Sequence, residues 1–228
     1  MVVQHNLSAM NTNRQLGIVT SAQSTSTEKL SSGYRINRSA DDAAGLSISE
    51  KMRSQIRGLN KAASNAQDGI SLVQVAEGAL NETHSILQRM NELATQAAND
   101  TNTSTDRTAI QSEIDQLTSE VNRIQSTTQF NSMNLLDGTF SSKNLQVGSL
   151  SGQSIGISIK NMDASSLGVN SLKVSSFASA GSAMDKIQSA INLVSTQRST
   201  LGALQNRLEH TINNLNTTAE NTQAAESR

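Results

Sequence analysis

The chain has 228 residues and a net charge of -1, and only 35% of its residues are hydrophobic and 2% aromatic. This composition favours a thin core of aliphatic stripes over a thick globular core. The near-neutral charge provides no basic surface for nucleic acid or for a membrane. Because cysteine is absent, disulfides, thiolate metal sites and thiol catalysis are excluded.

The first 44 residues carry only a weak helical pattern. Val3, Leu7 and Met10 form a partial apolar stripe that fades through the Ser/Thr-rich stretch 20–27, and Ser31-Ser32-Gly33 interrupts it. We expect residues 1–44 to be disordered or to form a single helix, and to gain burial only from other chains. The N-terminus lacks the basic and apolar regions of a signal peptide, so we expect any export to follow a route without one.

Residues 45–228 are predicted to form a helical rod, beginning with a helix over 46–98. Apolar residues recur there at alternating spacings of four and three, as in a coiled-coil seam. The first stripe consists of Met52, Ile56, Leu59, Ala63, Ala66, Ile70, Val73, Leu80 and Leu87. A second stripe consists of Leu72, Ala76, Ala79, Ile86, Met90, Leu93 and Ala97. Two adjacent stripes indicate that this helix touches more than one neighbour.

A polar run over 99–106 ends the first helix and offers several N-cap residues for a second, predicted over 106–128. The seam of this second helix consists of Ile110, Ile114, Leu117, Val121 and Ile124. Because the connection is short, the two helices are expected to be antiparallel.

A different composition follows the second helix. Ile155, Ile157 and Ile159 alternate strictly with small or polar residues, next to glycine-bearing turns, which predicts a β-hairpin over 145–160. Leu172-Lys173-Val174 is a candidate for another short strand.

The last predicted helix spans 184–226. Its apolar seam consists of Ile187, Ile191, Val194, Leu201, Leu208, Ile212, Leu215 and Ala219, with Arg198 and Gln205 at polar seam positions. The absence of proline permits helices of this length. The predicted fold class is therefore mainly α: a long antiparallel helical bundle or coiled coil with a small β-hairpin region.

Several motifs along the chain resemble those of bacterial flagellins, in the order and spacing of that family. They are Leu30-Ser31-Ser32-Gly33-Tyr34-Arg35-Ile36-Asn37 with Asp41-Asp42-Ala43-Ala44-Gly45-Leu46, Asn65-Ala66-Gln67-Asp68-Gly69-Ile70, Glu77-Gly78-Ala79-Leu80-Asn81-Glu82, Thr128-Gln129-Phe130-Asn131 and Leu201-Gly202-Ala203-Leu204-Gln205-Asn206-Arg207-Leu208. The resemblance implies a secreted structural subunit of the bacterial flagellar filament, which polymerises with copies of itself for motility.

The family resemblance also implies how the chain is organised. Residues 1–44 would belong to an inner layer, and 45–228 to a surrounding layer of three long helices and a hairpin. The outer variable domains of larger flagellins would insert near 161–180, so the chain resembles a short, minimal flagellin. Relatives continue beyond Arg228 with a terminal helix, so we expect binding of the flagellar export chaperone only where that helix is present.

Two sets of site residues follow from the resemblance. By motif match, Gln88, Arg89, Leu93 and Glu113 would contact the flagellin-sensing Toll-like receptor of animals. The alternative is that Leu93 belongs to the core and that Arg89 and Glu113 form a solvated ion pair. The connector between inner and outer layers, also involved in polymerisation, would comprise Leu30, Ser32, Gly33, Arg35, Ile36, Asp41, Asp42 and Ala43. Helix capping alone would also explain both aspartates.

Other functions receive less support from the sequence. A hook–filament junction protein shares part of the N-terminal pattern, and a chemoreceptor-like signalling hairpin shares the length and polarity. An enzyme is not expected, because no nucleophile elbow or phosphate-binding glycine loop is present and the 3 histidines are scattered. We therefore expect no catalytic residues, metal site, cofactor, nucleic acid or membrane.

Overall fold

The computed structural model describes residues 6–227 of the chain. The helices are α1 (Leu7–Ser32), α2 (Ala43–Ala97), α3 (Ser104–Thr127) and α4 (Phe177–Ser227), and the strands are β1 (Gln129–Phe130), β2 (Met133–Asn134), β3 (Lys143–Gln146) and β4 (Ser154–Ile157). Over residues 6–227, no helix combines the length and apolar character needed to cross a membrane. The predicted fold class, a long helical bundle with a small β region, is confirmed.

These residues separate into two compact units. Unit 1 comprises the described residues up to Ile56 together with those from Asn221 onward, and unit 2 comprises Arg57–Glu220. Helices α2 and α4 each contribute residues to both units. The predicted division between residues 44 and 45 separates two layers of an assembly of many chains. A single chain does not test that division, so it stays a prediction.

The core of unit 2 is shared by its three helices. One apolar cluster contains Leu80 and Leu87 of α2, Ile114 and Val121 of α3, and Ile187 of α4. All five side chains are completely buried. The stripes of α3 and α4 therefore meet in a common bundle, as the sequence predicts, and neither faces water.

Contacts at different heights establish that α2 and α4 are antiparallel. Thr95 of α2 donates a hydrogen bond to Sδ of Met184 at 3.3 Å. Towards the opposite end of unit 2, Leu59 packs with Leu215 and Ala219. A residue late in α2 thus contacts one early in α4, and a residue early in α2 contacts residues late in α4. The two helices therefore run in opposite directions.

Six of the eight apolar residues of the predicted α4 seam are buried, and Ile191 and Ile212 are half-buried. Ala190 is completely buried and Gln197 is 6% exposed, whereas the neighbouring Ile191 and Arg198 are only half-buried. At these two positions the buried residue precedes the predicted one by one place, so that an alanine replaces an isoleucine and a glutamine replaces an arginine in the seam.

Helix α4 also begins at Phe177, before the predicted start at residue 184. Ser176 and Ser179 cap its first turn reciprocally: Ser176 Oγ accepts from the Ser179 backbone N–H at 3.2 Å, and Ser179 Oγ accepts from the Ser176 N–H at 2.9 Å. Only alanines are buried in the first turns, Ala180 and Ala183. That small-residue contact is why apolar periodicity missed this part of the helix.

The predicted hairpin over 145–160 corresponds to the antiparallel pair β3–β4, in which Leu145 lies opposite Ile155. Ile155 and Leu145 pack on Ala66 of α2 and Leu208 of α4, so the hairpin covers the bundle. A second, shorter hairpin, β1–β2, was not predicted; it turns through Asn131 and Ser132, both with positive φ. The segment 172–174 is irregular instead of the short strand expected there.

Candidate functional site

The predicted connector begins where α1 ends. Gly33 adopts a left-handed conformation with φ 73°, and its backbone N–H donates to the carbonyl of Lys29. Glycine adopts this conformation without a Cβ clash, so it is well suited to end a helix. Ser32 Oγ accepts hydrogen bonds from the Tyr34 backbone at 3.2 Å and from Asn37 Nδ2 at 2.8 Å. The turn after α1 is therefore held by its own side chains.

Asp41 organises the next part of the connector. One carboxylate oxygen accepts from the backbone N–H groups of Asn37 and Arg38, at 3.2 and 3.1 Å, and Lys29 Nζ lies 3.5 Å from the other oxygen. The two backbone donors, followed by the Lys29 charge, hold the pKa of the Asp41 carboxyl below its usual value. Asp41 thereby closes the loop over residues 37–41.

Asp42 performs the capping role expected for it. Its Oδ1 accepts from the backbone N–H of Gly45 at 2.9 Å, in the first turn of α2, which begins at Ala43. A Cβ on Gly45 would lie 2.8 Å from Ile36 Cδ1 and would overlap the Asp42 carboxylate. The absence of a side chain at Gly45 thus permits Ile36 and Asp42 to approach the helix.

A contact that sequence reasoning missed joins α2 to the end of α4 within unit 1. The Glu226 carboxylate accepts from Ser49 Oγ at 2.9 Å and from Arg53 Nε at 2.7 Å. These two donors lower the pKa of Glu226, with Ser49 making the larger contribution. The Arg53 guanidinium also lies 4.5 Å from the centre of the Tyr34 ring, a cation–π distance. Since Ser49 and Glu226 lie far apart in sequence, no local pattern indicates this contact.

These groups surround an open pocket of about 420 Å³, whose lining includes Tyr34, Arg35 and Ile36. Arg35 is exposed, and Leu30 is 84% exposed. The connector residues are therefore brought together as a hydrogen-bonded turn with an apolar and a cationic side chain at its surface. Within residues 6–227, no three His, Asp or Glu side chains are grouped so as to hold a metal ion.

The second predicted site lies on the α2–α3 face of unit 2. Arg89 Nε donates to Glu113 Oε1 at 2.9 Å, and Arg89 Nη1 donates to Glu92 Oε2 at 3.1 Å. These two carboxylates raise the pKa of the Arg89 guanidinium, and Glu113 has the larger effect. The side chains of Arg89 and Glu113 remain 50% and 45% exposed. They form a solvated ion pair across neighbouring helices, as the alternative interpretation expected.

The structure brings Gln88 to the same surface but separates Leu93 from it. Gln88 is exposed, and its Nε2 lies 3.1 Å from His84 Nε2. Leu93 is only 2% exposed and belongs to the core. Leu93 therefore faces the interior of the bundle, as the alternative interpretation expected, and the expectation that its side chain contacts a receptor directly is corrected.

Comparison with known protein families identifies both terminal regions of the chain. Residues 3–141 match the model of the bacterial flagellin N-terminal helical region, and residues 184–228 match that of the C-terminal helical region. A flagellin of Halalkalibacterium halodurans is 53% identical over 230 residues, covering 100% of this chain and 85% of the relative. A flagellin of Bacillus subtilis is 49% identical over 263 residues, covering 100% of this chain and 86% of the relative.

Two solved structures of flagellar proteins are also similar to this chain. A Bacillus cereus flagellin shares 35% identity with a TM-score of 0.59, over 72% of this chain and 94% of that one. A putative flagellar hook-associated protein from Vibrio parahaemolyticus has a TM-score of 0.67 over 83% of this chain and 99% of that one. Its 13% identity supports similarity of fold alone.

Proposed function

The chain belongs to the bacterial flagellin family, and on that basis we propose that it is a structural subunit of the flagellar filament that polymerises with copies of itself. Family models match both of its ends, and relatives with about half of its residues identical cover its whole length. The protein would act outside the cell, as part of the flagellum, in motility. Flagellins form a structural family, so the proposal contains no catalytic step.

The observation that best supports polymerisation is the exposure of α1. None of the 26 residues of this helix, all within the described part of the chain, is buried. Leu16, Ile18 and Val19 are 63%, 56% and 60% exposed. Most of the stability of a helix in a protein comes from the packing of its apolar face, and each aliphatic side chain that becomes buried contributes about 1.5–3 kcal/mol. Other copies of the chain are the proposed source of that burial.

Electron microscopy of the purified full chain tests this proposal. We expect filaments that grow from seeds and dissociate into monomers when heated. Expression in a bacterium made non-motile by deletion of its own flagellin gene should restore swimming. A chain that remains monomeric at high concentration, and does not restore swimming, would contradict the proposal.

Variants of α1 provide the matched control. Leu16→Asp and Val19→Asp place a carboxylate on the exposed apolar surface and should prevent filament growth, whereas Thr20→Asp alters an exposed polar position of the same helix and should not. Unit 2 does not contain α1, so thermal unfolding of unit 2 should be the same in all three variants.

We also propose that the subunit is a ligand of the flagellin-sensing Toll-like receptor of animals. The feature that supports this is the surface formed by Gln88, Arg89 and Glu113, where a half-exposed ion pair joins two helices. Leu93 would act only indirectly, by packing beneath this surface. Monomers would bind the receptor, because the same face is expected to contact a neighbouring subunit in the filament.

Binding of the purified monomer to the receptor ectodomain, measured by surface plasmon resonance, tests this second function. Arg89→Ala should weaken binding by about tenfold, in the range typical of a central interface residue. Arg123→Ala is the control, because Arg123 is also exposed and paired with a glutamate three residues earlier, Glu120. Equal affinity of the two variants would remove the basis for assigning the receptor contact to this face.

An export chaperone is the remaining proposed partner, for a form of the protein that includes a further C-terminal helix. The hook–filament junction protein is a weaker alternative, since the likeness to a hook-associated protein extends only to the fold. A chemoreceptor-like signalling hairpin has no support from the family comparison.

A further inference from the structure

Arg53 is the meeting point of three segments of unit 1 that are far apart in sequence. The residue itself belongs to α2. Its Nε donates to the carboxylate of Glu226, which belongs to α4, at 2.7 Å. The same guanidinium lies 4.5 Å from the centre of the Tyr34 ring, in the connector. One cation therefore links the connector to α4 through α2.

The Glu226 side chain is held more firmly than an ordinary surface carboxylate. It is only 14% exposed, and it accepts a second hydrogen bond, from Ser49 Oγ at 2.9 Å. Ser49 lies four residues before Arg53, so the two donors share one face of α2. Hydrogen bonds to an ionised acceptor are shorter and stronger than neutral ones. Together they fix the carboxylate, and through it the Arg53 guanidinium.

Burial does not hold the Tyr34 ring in place. Tyr34 is 52% exposed and follows Gly33, the left-handed residue that ends α1. A cation–π contact at an exposed site shifts an equilibrium by a factor of only about two to five. The ring therefore depends on a guanidinium that is already positioned. Since Arg53 Nε is bonded to Glu226, that position is set by Glu226.

The charges around Glu226 make its ionisation important. The open pocket of about 420 Å³ in unit 1 is lined by residues from three elements. The titratable and charged side chains in its wall are Tyr34 and Arg35 from the connector, Arg53 from α2 and Glu226 from α4. Glu226 thus supplies the negative charge opposite two arginines. A neutral Glu226 would leave two like charges in one pocket, which favours their separation.

We propose that Glu226 is a latch for the connector: its carboxylate holds Arg53 against Tyr34, and loss of its negative charge releases Tyr34 from α2. Acid operates the latch. The hydrogen bonds from Ser49 and Arg53 keep the pKa of Glu226 below its usual value. The latch is therefore closed at neutral pH and opens as the pH falls through that lowered value. It is a property of the single chain and does not depend on filament formation.

Tyr34 reports on the latch directly, because the chain contains no other tyrosine and no tryptophan. Glu226→Gln removes the charge and preserves the size of the side chain. In NMR spectra of the monomer at pH 7, this variant should shift the Tyr34 ring signals and abolish the ring-current shift of the Arg53 Cδ protons. Glu220→Gln is the matched control, because it removes an exposed carboxylate of the same helix. The control should leave both sets of signals unchanged.

An acid titration of the same signals tests how the latch opens. In the natural chain the Tyr34 signals should change in one step below about pH 4.3, the usual pKa of a glutamate. Ser49→Ala removes the larger contribution to the lowered pKa of Glu226, so the midpoint should move to higher pH. Asp41→Asn removes another carboxylate of the connector and should leave the step in place. The step should be absent in Glu226→Gln.

Three outcomes would overturn the latch. They are Tyr34 signals at pH 7 that are identical in the natural chain and in Glu226→Gln, an acid step that persists in Glu226→Gln, and a midpoint that Ser49→Ala does not move. Far-UV circular dichroism verifies that the helices stay folded over the pH range. If Glu226→Gln does not fold, the Ser49→Ala midpoint decides. All of these measurements use monomers, so failure of the latch leaves the proposed filament function standing.

Discussion

The side-chain amide of Gln111, on α3, is paired with the backbone of Val174 in the segment that leads into α4. Gln111 Oε1 accepts from the Val174 N–H at 3.0 Å, and Gln111 Nε2 donates to the carbonyl of Leu172 at 2.9 Å. The amide thus makes the two hydrogen bonds that an adjacent β-strand would make. Segment 172–174, expected to be a strand, is satisfied by a helix side chain instead.

Replacement of Gln111 should destabilise the protein measurably. Gln111→Ala leaves the Leu172 carbonyl and the Val174 N–H without their partner, beside buried apolar side chains. Each unsatisfied group costs about 1–3 kcal/mol, so the loss of both partners should lower the free energy of unfolding by about 2–6 kcal/mol. Gln116→Ala, at an exposed position of the same helix, should change it by less than about 0.5 kcal/mol. Equal effects in urea denaturation would contradict the role assigned to Gln111.

Two glycines of α2 should respond differently to valine. A Cβ at Gly69 would overlap Cδ1 of Leu145 in the β3–β4 hairpin, whereas no described atom lies within 4 Å of a Cβ at Gly78. Both substitutions change intrinsic helix propensity equally, so their difference reports packing. Gly69→Val should be less stable than Gly78→Val by about 1–3 kcal/mol, the usual cost of overpacking. Thermal denaturation of the two variants measures this difference in stability. A difference near zero would show that the β3–β4 hairpin moves to accommodate the valine without loss of stability.

Acid should loosen the connector of unit 1. Hydrogen bonds and cations in the folded state lower the pKa values of Asp41 and Glu226. Each carboxylate therefore contributes stability above its unfolded pKa, and loses that contribution as the pH falls through the lower folded value. The hydrogen-exchange protection factors of residues 28–53, taken relative to the unfolded-chain rate at each pH, should decrease below about pH 4. Asp41→Asn should show lower protection factors already at pH 6, with a weaker dependence on acid. Protection factors that stay constant down to pH 2.5 would count against the assignment.

Leu93 should behave as a core residue in mutational studies. At 2% exposure, its replacement by alanine removes buried methyl groups and should cost about 2–5 kcal/mol of stability. Leu193→Ala, at a position 46% exposed, should cost much less. If Leu93→Ala retained the natural melting temperature, the side chain would have to be more accessible than the structure indicates. Loss of receptor binding in this variant is informative only when its folding has been verified.

Local pattern alone predicted most of the architecture. The apolar spacing located α2, α3 and α4, and the alternation of Ile155 and Ile157 located the longer hairpin, because each depends on residues close together in sequence. Turn chemistry likewise identified Asp42 as a cap. The small alanines at the start of α4, and the tight turn through Asn131 and Ser132, carried too little apolar signal to be noticed.

The sequence by itself determined that this protein is built from long helices with apolar stripes that pack on one another. Only the tertiary structure decided which side of each helix is buried. It placed Gln197 instead of Arg198 in the seam, put Leu93 inside and joined Ser49 to Glu226. Helical periodicity defines a stripe to within about one residue, and neighbouring elements set the final rotation. Contacts between residues distant in sequence, such as that of Gln111 with Val174, depend on this rotation and have no local signature.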